Sequence, residues 1–324
     1  MTRVATYALT QLMQAQTLGV QQQLADLQIQ ASSGVKSQTY AGMATDAHQL
    51  INLEASKSQT SQYLNTNKNI SSRLTSMESS VSSIYTVATQ FRTLLLNAVN
   101  NSNAGDLSID TAAANARQQV ASLLNVQVDG RHLFAGSRTD IAPVDLSGWP
   151  APPGLTPPLV LPLATYDTQY YKGDAQVMSA QIDQNQTLNY GVNANDPAFE
   201  YVMRAMYYVQ SAGPQPSQDT LETALSLINT ALGTEQGNAT RGVPPLTHDI
   251  ADIQSAIGAS QSSIDAANSR HNDFSVYLDQ NISNIKTVDV AQTLTQVSSY
   301  QTQLQASYMT LSHLSQLSLL NYLK

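Results

Sequence analysis

Between Asp289 and Lys324 the chain contains no Asp, Glu, Lys or Arg; its polar residues there are Gln, Ser, Thr, Asn and His313. Apolar side chains fall at Val290, Leu294, Val297, Leu304, Tyr308 and Leu311, a three-and-four spacing that predicts one face of a helix. The stripe continues through Leu314, Leu317 and Leu320 and drifts round the cylinder, so more than one side requires burial. A solvent-facing helix normally carries interspersed charges for solubility, and this one has none. The other end behaves alike: Val4 to Ala25 is free of charge, while Met13, Val20, Leu24, Leu27 and Ala31 recur at heptad-like spacing. Both ends therefore read as helices surrounded by protein. One chain has too few other elements to surround them, so neighbouring copies are expected to do so.

Composition narrows what such a chain can do. Its 324 residues allow two or three domains. Charged residues make up 12% and the net charge is −8, with no Lys/Arg run to hold phosphates, which argues against nucleic acid as a partner. The apolar runs fall short of the roughly 20 residues of a membrane span, and the N-terminus lacks the apolar core of a secretory signal. Cysteine is absent, which removes disulfides, thiolate zinc sites and cysteine nucleophiles together. Cysteine usage leaves the compartment open between the cytosol and a route of export without a cleaved signal.

Taken in order, the chain predicts a first helix from about Thr6 to Ser32, closed at Ser33-Gly34 by a glycine able to adopt the left-handed conformation. Residues 35 to 44 read as a loop or extended connector, and a second helix starts near Thr45-Asp46. In it Tyr63, Ile70, Met77, Ile84, Phe91 and Ala98 recur every seven residues, with Leu74, Val81, Ala88 and Leu95 between them: a long rod with a left-handed seam. A third helix is predicted over Ser108 to Gln127, stopped by a helix-ending turn at Asp129-Gly130. Prolines from Pro143 to Pro162 rule out regular helix and predict a surface excursion. Alternation from Tyr166 to Val192, with turns at Lys172-Gly173-Asp174 and Asp183-Gln184-Asn185, predicts short antiparallel strands. Two short helices follow, at Ala198 to Ser211 and Gln218 to Leu232. A second rod then spans Leu246 to Val288, with Ile250, Ile257, Ile264, His271, Leu278 and Ile285 by sevens beside Ile253, Ala267 and Phe274.

The predicted fold is mainly α, a long antiparallel helical bundle formed by both chain ends with a small β-rich outer region. Its expected divisions are 1–44 with 286–324 for the terminal helices, 45–141 with 197–285 for the rods, and 142–196 for the Pro-rich and strand segment. The expected rod core includes Ile70, Met77, Ile84, Phe91, Ile257, Ile264, Phe274 and Leu278. The expected assembly interface comprises Met13, Val20, Leu24, Leu27, Leu294, Val297, Leu304, Tyr308, Leu311, Leu314 and Leu317.

No constellation of residues points to catalysis, a metal or a cofactor. HExxH is absent, and His48, His132, His248, His271 and His313 stand apart from one another and from carboxylate clusters. His271, at a heptad core position, reads as a packed or hydrogen-bonded histidine. The pairs Tyr170-Tyr171 and Tyr207-Tyr208 could stack on sugars, though aromatics in strands and bundles are more often core. The charge-free ends lack the Lys and Arg of membrane-surface helices, so packing against protein is preferred to membrane insertion.

Several segments resemble the flagellin superfamily, and within it the hook–filament junction proteins of the FlgL type. Ser32-Ser33-Gly34 after a Gln-rich helix is similar to the family's Ser-(Ser/Thr)-Gly turn. The run from Asp129 through Gly130, Arg131, His132, Leu133, Phe134, Ala135 and Gly136 to Ser137, followed by Ala142-Pro143, resembles a junction-protein segment. Tyr171-Lys172-Gly173-Asp174 resembles the beginning of the strand that follows it. Leu304 to Tyr308 and Leu317 to Leu320 resemble the junction-protein C-terminus, whereas Gly42-Met43 stands where the family usually has an acidic pair. The resemblance implies a structural, non-enzymatic subunit exported through the flagellar type III apparatus to an extracellular position. It implies a ring or helical layer of like subunits between a hook-side junction protein and filament flagellin, with an export chaperone at the C-terminal helix. The alternatives are a filament flagellin and, in another class, a carbohydrate-binding module displayed from Pro143 to Val192.

Overall fold

The computed structural model describes residues 2–100, 108–147, 149 and 168–320. Seven helices dominate the described residues: α1 (Thr2–Ser33), α2 (Ala47–Asn100), α3 (Ile109–Leu124), α4 (Pro197–Ala212), α5 (Gln218–Ala231), α6 (Ile250–Lys286) and α7 (Val290–Leu320). Two antiparallel pairs make up the strands: β1 (Gln127–Val128) with β2 (Arg131–His132), and β3 (Met178–Asp183) with β4 (Gln186–Tyr190). The fold is mainly α with a small β region.

The chain divides into two compact units. One contains residues 1–61 and 272–324, the other residues 62–271, and α2 and α6 contribute residues to both. The division falls inside those helices, between residues 61 and 62 of α2 and between residues 271 and 272 of α6. The described part of 142–196 clusters with the rods of the second unit instead of standing apart.

In that second unit the heptad of α2 is a core seam: Ile70, Leu74, Met77, Val81, Ile84, Ala88, Phe91, Leu95 and Ala98 are all buried. From α6, Ile250, Ile253, Ile257, Ile264 and Ala267 join them. α4 is the innermost helix, and it is closed to solvent from Ala198 to Met206. Its start is fixed locally, since the Asp196 side chain accepts from the Ala198 N–H and Pro197 supplies a pre-set φ at the first position.

Leu278 is buried in the first unit, but Phe274, placed in the rod core by its heptad position, is 45% exposed. The buried stripe of α6 steps from His271 through half-buried Ser275 to Leu278, one residue off the Ile253–Ala267 row. Phe274 turns outward and stacks on Tyr277, with ring centroids 6.1 Å apart.

Local chemistry explains three further departures. Residues 40–46 form a short 3-10 turn in place of a connector without helical structure. α3 ends at Leu124, and Asp129-Gly130 closes a two-residue β-hairpin instead of a helix. Both turn residues have positive φ, 53° and 72°, the backbone of a type I′ turn that Asp-Gly accommodates best. The beginning of the proline-rich segment is not a surface excursion: Val144 and Trp149 are buried and Val144 bridges to Tyr171. Pro150 to Pro162 lies outside the described residues.

The β3–β4 hairpin forms as its alternation predicts, turning at Gln184-Asn185. A bulge between Gln181 and Asp183 leaves Ile182 out of the ladder. Its free carbonyl accepts from Asn67 Nδ2 at 3.2 Å and His271 Nε2 at 2.9 Å. His271 also stacks on Tyr63, 5.2 Å between centroids, so it is packed and hydrogen-bonded.

Candidate assembly surface

The two chain ends meet inside the first unit as an antiparallel pair, α1 against α7. Gly34, with φ 72°, ends α1 and donates to the Gln30 carbonyl. The turn is clamped by main-chain bonds from Val288 N–H to Gly34 O, 3.1 Å, and from Lys36 N–H to Lys286 O, 2.7 Å. Farther along, Gln21 donates to the Tyr308 hydroxyl.

Burial along the pair follows a strict alternation of fours and threes. On α1 the shielded positions include Met13, Thr17, Val20, Leu24, Leu27 and Ala31; on α7 they are Thr293, Val297, Tyr300, Leu304, Ser307 and Leu311. This is the seam of a two-helix coiled coil. Thr17 and Thr293 fit it because each hydroxyl donates back to the carbonyl four residues earlier, of Met13 and Asp289, at 2.8 Å.

The expected assembly residues therefore fall into two sets. Met13, Val20, Leu24, Leu27, Val297, Leu304 and Leu311 belong to the intrachain seam, because two charge-free stripes in one chain satisfy each other first. Leu294 points outward, Tyr308 is 47% exposed while its hydroxyl meets Gln21 of α1, and the side chains of Leu314 and Leu317 lie outside the described ones. Leu9, Leu12, Leu18 and Ile29 on α1, with Val290 and Met309 on α7, share that outward exposure; Leu18 is 60% and Met309 65% exposed. Leu9, Leu12, Leu18, Ile29 and Met309 lie off the predicted stripes, whereas Val290 lies in its stripe and is exposed at the start of α7. Full burial of each such side chain is worth about 1.5–3 kcal/mol.

The described ion pairs of this unit gather where the helix pair begins. Lys286 reaches Glu54 at 3.0 Å, and Lys57 pairs with Asp279. Glu54 also accepts from Tyr40, and that bond, followed by the one from Lys286, holds its carboxyl below the usual range. Beyond this cluster both helices carry Gln, Ser and Thr, which can be buried if hydrogen-bonded, whereas an unpaired buried charge costs several kcal/mol.

Among the described residues no group of three or more His, Asp or Glu side chains could hold a metal ion, and no helix is long and apolar enough to cross a membrane. Tyr170 is fully buried with its hydroxyl on the Ala194 carbonyl, 2.9 Å, and Tyr208 is buried too. Tyr171 is half-buried, bonded to the Asp174 carbonyl at 2.6 Å, and burial pushes its hydroxyl up to about 12. Tyr170 and Tyr208 are packing residues, while Tyr171 and Tyr207 are each half-buried.

Comparison with known proteins agrees with this geometry. Residues 242–323, which include α6 and α7, match the family described as the bacterial flagellin C-terminal helical region. Among solved structures, the chain is similar to a protein described as a flagellar hook-associated protein from Vibrio parahaemolyticus. That likeness has 17% identity and a TM-score of 0.56, over 74% of this chain and 97% of the other. It is similar also to FlgL of Bacillus cereus, with 15% identity and a TM-score of 0.52, over 72% of this chain and 99% of that one. No curated protein matches by sequence. Residues 242–323 thus match the bacterial flagellin C-terminal helical region, and the fold of the chain is similar to the folds of these two flagellar proteins.

Proposed function

We propose that this chain is a structural subunit of the bacterial flagellum, a hook-associated protein that joins hook to filament by assembling through its two terminal helices. The observation that carries the reading is the position of the flagellin C-terminal region: it ends on α7, a charge-free helix whose seam is satisfied by α1 while Val290, Leu294, Tyr308 and Met309 stay exposed. Exposed apolar residues on a paired helix mark a surface meant for another protein. The subunits form a ring or helical layer held together through the terminal pair. A hook-side junction protein lies on one side and filament flagellin on the other. The subunit reaches that extracellular place through the flagellar type III apparatus, held beforehand by a chaperone at the C-terminal helix. Its work is structural and needs no catalytic group.

The matched region is also the C-terminal region of flagellins, which supports a second reading as the filament subunit itself. Deleting the gene and counting the protein in isolated flagella separates the two. A junction subunit is scarce, and its loss leaves hooks that shed filament monomer into the medium. A filament subunit dominates the preparation, and its loss leaves hooks with no monomer to shed. A truncate ending at Ile285 tests the assembly role directly: it should stay soluble and fail to assemble, and a truncate that still polymerises would refute the role of the termini.

A further inference from the structure

Arg117, on α3, has no ion-pair or hydrogen-bond partner among the described residues. Its guanidinium carbon lies 5.5 Å from the centroid of the Trp149 ring and 5.1 Å from that of Tyr207, and Nη1 is shut off from solvent with no acceptor. Burial draws its proton affinity down, with the Tyr207 hydroxyl acting weakly in the other direction. A guanidinium keeps its charge even so, and stacking on rings leaves its in-plane N–H donors unused.

A cleft of about 470 Å³ opens beside it, within the size range of ligand sites. Arg117 and Gln118 form one wall, and Val144, Asp145, Leu146 and Ser147 form another. That second wall is fixed: the Asn125 side chain both donates to and accepts from the Val144 main chain, each at 2.8 Å. Asp145 is held by Ser147 through its N–H at 2.9 Å and its hydroxyl at 2.6 Å. Cation and anion thus line one cavity. The Asp145 charge opposes any anion, a doubly charged phosphate or sulfate more than a singly charged carboxylate, and the planar fork of Arg117 matches the planar carboxylate.

We propose that this cleft is a carboxylate-binding site in which Arg117 receives the acid group, supplied either by a small free acid or by an Asp or Glu side chain of a neighbouring subunit. Trp149 is the only tryptophan in the chain and lies against Arg117, so its fluorescence reports on the site.

The test titrates the isolated full-length chain with N-acetylglycine, and with sodium sulfate at matched ionic strength, and records Trp149 emission. A second arm records the same emission as the chain assembles. The expected result is a saturable change with N-acetylglycine and none with sulfate, lost in Arg117→Gln and weakened at least tenfold in Arg117→Lys. Circular dichroism of both variants checks the fold, and Arg117→Lys keeps the charge if Arg117→Gln does not fold. A change seen only on assembly, and lost in the variants, assigns the carboxylate to a neighbouring subunit. No saturable change in either arm, or a change that survives both substitutions, overturns the site. The first arm requires no assembly, so its outcome is separate from that of the flagellar reading.

Discussion

His271 donates from Nε2 to the main-chain carbonyl of Ile182 at 2.9 Å, across 89 residues of sequence, in a buried contact. It ties the β3–β4 hairpin to α6, and Asn67 on α2 donates to the same carbonyl. His271→Phe should keep the stack on Tyr63 and lose the bond, at a cost of about 1 kcal/mol, because Asn67 still serves the carbonyl. His271→Phe combined with Asn67→Ala leaves that buried carbonyl unpaired and should cost about 3 kcal/mol or more. Urea unfolding followed through Trp149 measures both. Strict additivity of the two single substitutions would show that the shared acceptor has no role.

Glu200 and Arg204 form a pair within α4, with Nε 2.6 Å from Oε1 and neither side chain more than 2% exposed. Burial acts most strongly against the Arg204 charge, but Glu200, Tyr208 and Tyr201 together outweigh it and raise the proton affinity. Replacing Glu200 alone by Gln strands the guanidinium in the core of the unit, at a cost of about 3–5 kcal/mol. Glu200→Gln with Arg204→Met should recover much of that loss, since an apolar pair of similar volume is often neutral. Thermal unfolding of the three variants decides the matter, and a double variant no better than Glu200→Gln contradicts the account.

The seam and the outward face of the terminal helices should respond differently to charge. Leu304→Lys places an ammonium between α1 and α7 and is expected to lower helix content in the isolated chain as well as prevent incorporation. Met309→Glu and Leu18→Lys alter residues that are already 65% and 60% exposed. These should leave the circular dichroism of the isolated chain unchanged and still reduce assembly at least tenfold in a sedimentation assay. Normal assembly of both surface variants would show that the exposed apolar residues have no partner.

Asp174 accepts from the Ser137 hydroxyl and from the Ser137 N–H at 2.8 Å, and these bonds hold its carboxyl below the usual range. A lowered carboxylate contributes stability that is present above the unfolded pKa of about 3.9 and is lost as pH falls through the lower folded value. The Ser137 amide resonance should therefore titrate below pH 3.9 and become pH-independent in Asp174→Asn. A midpoint at or above the ordinary value would mean that the clasp does not favour the ionised form.

Much of this fold was legible in the sequence. The heptads of α2 became its buried seam, Gly34 closed α1, and alternation around Asp183-Gln184-Asn185 gave the β3–β4 hairpin, because each depends on spacing or backbone preference within a few residues. Asp129-Gly130 was read as the wrong turn, since a dipeptide that tolerates positive φ serves a helix stop and a type I′ hairpin equally well. The flanking strands, two residues each, were too short to decide.

The sequence by itself determined that Val4 to Ala25 and the stretch after Asp289 up to Tyr322 are charge-free, helical in their spacing and in need of covering. Only the tertiary structure decided which residues cover which. It paired α1 with α7 through Met13, Val20, Leu24, Val297 and Leu304, and it left Leu18, Leu294 and Met309 outside. It also left Phe274 exposed and placed Arg117 against two rings with no counter-ion among the described residues. Periodicity fixes which side chains share a face, because helical geometry is local. What a face meets depends on contacts between residues far apart in the chain, and no spacing pattern encodes those.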